Sequence, residues 1–231
     1  MAEKKGIILL SGGLDSATTA AYAIEKGYSL HAITFSYGQR HDVEISFAKR
    51  IVDYLDIKLH HTIQLPLELF DKTALKKDSS LQVPQGNDIS VQDEIPITYV
   101  PARNIVFLSL ALAYAESHDA EVIFIGANAV DYSGYPDCRP QFISSFQNMI
   151  DNGTKTGVEG NSIIVEAPLI SMKKSEIIKL GYKLGFDYSL THSCYNPDEE
   201  GASCGVCDSC CIRRRGFEEA GISDPTRYRN G

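Results

Sequence analysis

No apolar run in this chain of 231 residues is long enough to cross a bilayer, and the opening MAEKKGIILL carries no cleavage signature. On those absences we expect neither a membrane-spanning nor an exported protein, and the expected compartment is the cytoplasm. Basic charge is scarce: 22 Lys and Arg face 30 Asp and Glu, for a formal net charge of −8. A protein that grips nucleic acid through its whole surface is thereby disfavoured, although a local basic patch is still allowed. Internal repeats and low-complexity tracts are absent. No lysine follows the glycines near the amino terminus, so the glycine loop there is not of the Walker A kind. What remains is an ordinary globular composition, 43% hydrophobic and 23% charged. The length suits one α/β domain, or such a domain with a small appendix.

The most telling segment is Ser11-Gly12-Gly13-Leu14-Asp15-Ser16. It follows the apolar run Gly6-Ile7-Ile8-Leu9-Leu10, which reads as a buried parallel strand. It precedes residues 17–24, a small-residue helix closed by Gly27. A strand, a glycine turn and a helix start make an anion cradle, because unpaired N–H groups and the helix dipole converge on the loop. The glycines permit close approach to a phosphate, and Ser11 and Ser16 add hydroxyl donors. SGGLDS resembles the PP-loop of the ATP pyrophosphatase superfamily, whose members split ATP between the α- and β-phosphates. On that resemblance Asp15 sits close to the triphosphate, through Mg²⁺ or by orienting the loop.

Strands and helices alternate along the first half of the chain. Residues 30–35 and 60–65 read as strands, and 42–55 as a helix with Val43, Phe47, Ile51 and Leu55 at helical spacing. Residues 70–101 are polar and marked by Pro and Gly, the profile of a lid or substrate loop. Residues 103–118 read as an apolar helix, 121–126 as a strand, 140–151 as a helix, 162–166 as a short strand and 173–184 as a helix. Such alternation implies a doubly wound, mostly parallel sheet with helices on both faces. The loops SGGLDS, SYGQRH and GANAVDYSGYPDCR each follow a strand and are expected to converge at one rim. We expect a nucleotide-binding α/β domain over residues 1–185 and a metal-binding carboxyl-terminal segment over 186–231 packed on it.

Six cysteines occur, and four have metal-ligand spacing: Cys194, then Cys204, Cys207 and Cys210 in overlapping C-x-x-C turns. In a reducing compartment such a set reads as metal ligands rather than disulfides. Four thiolates suit tetrahedral Zn²⁺ in a closed structural site, with an iron–sulfur centre as the competitor. Cys211 adjoins Cys210 and is read as a core or spare thiol, with an exchange of ligand roles left open. Cys138 reads as a polar wall residue rather than a nucleophile, since no histidine partner is evident.

Four further segments are dense in polar groups: residues 36–41, 98–104, 126–139 and the helix opening at Lys173, Lys174 and Glu176. Singly, each has a bland reading as turn or solvated surface. Together, facing a nucleotide loop, they suit an anionic, planar substrate: Arg pairs with carboxylate or phosphate, Tyr stacks a heterocycle, and Asp131 or Asp137 reads ring N–H donors.

SGGLDS, SYGQRH, YVPARN, GANAVDYSGYPDCRP and CGVCDSC, with the earlier Cys194, together resemble the 7-cyano-7-deazaguanine synthase family of queuosine biosynthesis. The resemblance spans essentially the whole chain, with Cys211 a departure from the usual single cysteine. It implies a nucleotide segment of Leu9, Leu10, Ser11, Gly12, Gly13, Leu14, Asp15, Ser16, Ala17, Thr18 and Thr19. It implies a zinc site at Cys194, Cys204, Cys207 and Cys210. The implied reaction joins 7-carboxy-7-deazaguanine and free ammonia at the expense of ATP. In that setting Asp15, Ser16, Arg103 and one of Lys173 or Lys174 carry the catalysis. Tyr99, Asn128, Asp131, Tyr132 and Arg139 form the substrate wall.

Two other readings compete. One is a PP-loop enzyme acting on tRNA, disfavoured by the net charge of −8 and the lack of an RNA-binding extension. The other is a nucleotide-binding regulator using Arg213, Arg214 and Arg215 as a basic patch, a run that more often forms a solvated helix face. We expect small-molecule substrates, no nucleic acid or membrane partner, and a homodimer.

Overall fold

The computed structural model describes residues 4–38, 43–70, 73–75, 80–81, 83–84, 95–131 and 134–229. Five strands form one sheet: β1 (Lys4–Leu9), β2 (Tyr28–Ser36), β3 (Leu59–Gln64), β4 (Val122–Ile125) and β5 (Ile164–Glu166). Their order is β3-β2-β1-β4-β5 and every pairing is parallel. In register, Ile8 of β1 lies between Ala32 of β2 and Phe124 of β4. Strands buried on both faces need no polar alternation, which is why GIIL and VIFI are unbroken apolar runs.

The helices are α1 (Leu14–Glu25), α2 (Val43–Tyr54), α3 (Arg103–Ser117), α4 (Pro140–Gly153), α5 (Lys155–Val158), α6 (Lys174–Lys183) and α7 (Asp208–Ala220). They divide between the two faces of the sheet. Ile7, Leu9, Ile33 and Ile123 pack with Leu108 and Ala111 of α3 and with Phe146 and Ile150 of α4. Ile8, Ala32 and Phe124 point the other way, into α1, α2, α6 and Phe217 of α7. The fold is therefore the doubly wound α/β arrangement that the sequence predicts. Among the described residues no helix is long and apolar enough to cross a membrane.

The strand order reverses at β1, so a crevice opens between the carboxyl ends of β1 and β4. Two details differ from the sequence expectation. Helix α1 begins at Leu14 rather than residue 17, because Gly13 already serves as its N-cap. Helix α5 was not foreseen; Thr154 caps it, accepting from Gly157 N at 3.0 Å. In the stretch 70–101 the described residues hold turns, and much of the expected lid lies outside them.

Candidate active site

The loop between β1 and α1 is tied together by its own hydroxyls. Ser16 Oγ accepts from Ser11 N at 3.2 Å, donates to the Gly13 carbonyl at 3.1 Å, and lies 3.1 Å from Ser11 Oγ. Gly13 N donates to Ser11 Oγ at 3.3 Å. Gly12 has φ +84°, and a Cβ there would stand 2.4 Å from the Glu44 carbonyl oxygen of α2. Only glycine fits this turn, which aims the start of α1 into the crevice.

Opposite the loop, Lys174 on the first turn of α6 holds both Asp15 oxygens, at 2.6 and 2.7 Å. Asp131 Oδ2 lies 3.3 Å from the same ammonium. Burial raises the Asp131 pKa, with Lys174 opposing and Asp15 reinforcing that shift. Lys173, by contrast, is exposed, and its backbone N donates to Glu176 Oε2 at 2.7 Å. Of the two adjacent lysines, Lys174 is the one that enters the site.

These groups border a cavity of about 250 Å³. The loop, Lys174, Tyr37 at the end of β2, Glu44 on α2, Arg103 and Asn104 at the start of α3, Asn128 after β4, and Tyr135 and Cys138 all line it. The expected convergence of strand-end loops at one rim is thus seen for every described segment. Arg103 Nη1 donates to Tyr37 Oη at 3.4 Å. Burial works to lower the Arg103 pKa, but Tyr37, Cys138 and Asp137 outweigh it and keep the guanidinium charged. Burial pushes Glu44 up to about 7, against the pull of Arg103. Burial and Asp137 push the Cys138 thiol up to about 12, so it stays protonated and a poor nucleophile.

The expected substrate wall divides. Asn128 lines the cavity, but its amide is spent on scaffolding: Nδ2 donates to the Leu169 and Met172 carbonyls at 3.0 and 2.6 Å, and Oδ1 accepts from Asp131 N at 2.7 Å. Tyr99 Oη accepts from Ala102 N at 3.0 Å, and Asp137 Oδ2 from Asn104 N at 3.1 Å. Tyr99, Asp131 and exposed Arg139 stand outside the cavity lining. Tyr132 lies outside the described residues. The cavity also takes in Glu44, His192, Tyr195 and Arg213, none of which sequence spacing singled out as site residues.

The Sγ atoms of Cys194, Cys204, Cys207 and Cys210 all lie within 4.8 Å of one another. A single tetrahedral zinc with Zn–S near 2.3 Å needs sulfurs about 3.8 Å apart, and a set confined within 4.8 Å is compatible with one such ion. A multi-iron cluster would hold its sulfurs wider apart. The crowded thiols share protons: hydrogen bonds from Cys194 and Cys210 lower the Cys207 pKa, while bonding to Cys207 raises that of Cys194. Cys211 is outside the set. Cys194 also borders the cavity, so metal site and pocket share a wall. Arg213, which the sequence suggested as solvated, is 2% exposed. Its guanidinium reaches Thr191, Tyr188 and Asp224, while Arg214 and Arg215 remain exposed.

Residues 5–221 match the model of a family described as queuosine biosynthesis protein QueC. The chain belongs to the QueC family. Relatives in QueC bear out the match. A 7-cyano-7-deazaguanine synthase of Coxiella burnetii (strain RSA 331 / Henzerling II) is 54% identical over 97% of this chain and 98% of its own length. That of Ralstonia nicotianae is 53% identical over 98% of this chain and all of its own. One from Saccharophagus degradans is 51% identical over the full length of both. Among solved structures, a predicted subunit of tRNA methyltransferase from Methanocaldococcus jannaschii is similar, with TM-score 0.50 and 18% identity. That likeness covers 97% of this chain and 92% of the other, and speaks for the fold alone.

Proposed function

We propose that this chain converts 7-carboxy-7-deazaguanine and ammonia to 7-cyano-7-deazaguanine at the expense of ATP, in queuosine biosynthesis. The observation that carries the proposal is the serine–glycine cradle opening, beside Lys174 and Arg103, into a cavity of about 250 Å³. The name borne by relatives at 51–54% identity supports the same reaction.

A carboxylate is a poor electrophile, and the nucleotide activates it. Attack of the carboxylate oxygen on the α-phosphorus gives an acyl adenylate and releases pyrophosphate. Ammonia then displaces AMP to give the amide. A second adenylation, on the amide oxygen, lets that oxygen leave as AMP while nitrogen loses its protons, forming the nitrile. Ser11, Gly12, Gly13 and Ser16 hold the outer phosphates; Lys174 and Arg103 offset charge building on pyrophosphate. With both its oxygens on Lys174, Asp15 orients that lysine; a Mg²⁺ accompanying the nucleotide would supply further neutralisation of phosphate charge. The four cysteines would hold a zinc ion, whose contribution there would be to fold stability rather than to the chemistry. We also propose a cytoplasmic homodimer, which sedimentation velocity tests.

The test is incubation of zinc-loaded protein with carboxy-deazaguanine, ammonium and Mg-ATP. The nitrile and AMP are the expected products by mass spectrometry. ATP turnover without nitrile overturns the proposal.

A further inference from the structure

Helix α7 starts directly after Cys207 and carries Cys210 on its first turn. Two turns later Gly216 faces Lys174 of α6. A Cβ on Gly216 would lie 2.4 Å from Lys174 Cγ, 2.9 Å from Lys174 Cβ and 3.0 Å from Ile178 Cδ1. These lysine atoms are the root of the side chain rather than its mobile tip. The stem therefore lies flat on bare backbone, and a methyl group cannot enter unless the stem or the helix shifts.

Helix α7 has little freedom to retreat. Arg213 Nη1 donates to Thr191 Oγ1 at 2.8 Å, Nη2 to the Tyr188 carbonyl at 3.2 Å, and Nε to Asp224 at 3.1 Å. Phe217 meets the Tyr188 ring edge-on, centroids 5.6 Å apart. Tyr188 Oη in turn lies 2.8 Å from Thr18 Oγ1, one turn beyond Asp15 on α1. Both partners of the Lys174–Asp15 pair are thus registered against one helix, whose first turn is held by the cysteine set.

We infer that Gly216 is a positioning residue: it seats the Lys174 stem so that the ammonium meets Asp15 beside the phosphate-facing loop. Through it α7 carries the anchoring of the four-cysteine site to the reacting groups. The inference rests on the proposed role of Lys174 in the reaction, and its test is built to fail separately from that role.

The test uses the full chain with its metal bound. A methyl does not fit at Gly216, so a merely structural position predicts a variant that is less stable but, once folded, equally active and with Lys174 labelled as slowly as in wild type. The positioning role predicts that Gly216→Ala lowers kcat by about a hundred-fold, the cost of a misplacement near 1 Å, with KM for the acid little changed. It also predicts faster acetylation of Lys174 by acetic anhydride, followed peptide by peptide, with exposed Lys58 unaltered. Should Gly216→Ala not fold, the pair Gly216→Ala with Ile178→Ala opens the third contact and takes its place. In wild-type protein Lys174 must acetylate far more slowly than Lys58, a readout that needs no variant. Unchanged kcat or unchanged Lys174 labelling in the variant, or wild-type Lys174 labelled as fast as Lys58, overturns the inference. Failure of the wild type to form nitrile overturns the functional proposal instead, and leaves the labelling result standing.

Discussion

Lys174 Nζ lies 2.6 and 2.7 Å from the two oxygens of Asp15, although 159 residues separate them in the chain. The lysine side chain is 8% exposed and that of Asp15 17%. In such a setting the partner left behind matters more than the pair itself. Lys174→Met strands Asp15 and Asp131 against each other, and we expect a loss of about 3–5 kcal/mol. That corresponds to a drop in Tm of roughly 6–20 °C for a chain of this size. Asp15→Asn should cost less, because Asp131 still faces the lysine at 3.3 Å. Thermal unfolding of the two variants side by side checks the ranking.

Glu44 gives a pH signature. Burial lifts its pKa from the ordinary 4.5 to about 7. Between those values the folded chain holds a proton that the unfolded chain has released, so the stabilising contribution is complete below 4.5 and is lost as pH rises through 7. Glu44→Gln removes that decline. From about pH 5 to about pH 8 the variant should gain about 1–3 kcal/mol on wild type, read from urea midpoints across the range.

The four-thiolate site predicts one zinc per chain. Cys207→Ser should release the metal and loosen α7, costing about 3 kcal/mol or more. Cys211→Ser should keep both metal and stability, since Cys211 lies outside the ligand set. Metal analysis of the purified variants separates the two outcomes, and a metal-free Cys211→Ser protein would refute the assignment.

Gly12→Ala tests the turn itself. The added methyl would lie 2.4 Å from the Glu44 carbonyl oxygen at a φ of +84°. We expect about 2 kcal/mol of destabilisation or more, and loss of nucleotide binding by calorimetry.

Much of this was legible in the residues because burial writes itself plainly in parallel strands. IIL and VIFI can only be interior strands, and the glycine loop between strand and helix marks where the crevice must be. The cysteine spacing was equally direct. Glu44 escaped because an acid in the first turn of a helix ordinarily reads as a partner of the helix dipole. Only the sheet order brings that turn to the cavity. Arg213 escaped for the opposite reason. Within an Arg-Arg-Arg run it reads as surface, yet its guanidinium satisfies oxygens from two separate segments, Tyr188 with Thr191 and, further on, Asp224. Asn128 lines the crevice as expected and Asp137 does not, and spacing alone could not reveal that the polar atoms of both already serve the backbone of neighbouring segments.

The glycine loop is encoded early in the chain, whereas the lysine that meets Asp15 arrives with α6 and the helix packed on its stem with α7. A polypeptide emerging from the ribosome therefore carries Asp15 and Asp131 before it carries the lysine that faces both. On the proposed function, a copy that ends before α6 lacks Lys174 and should turn over no nucleotide.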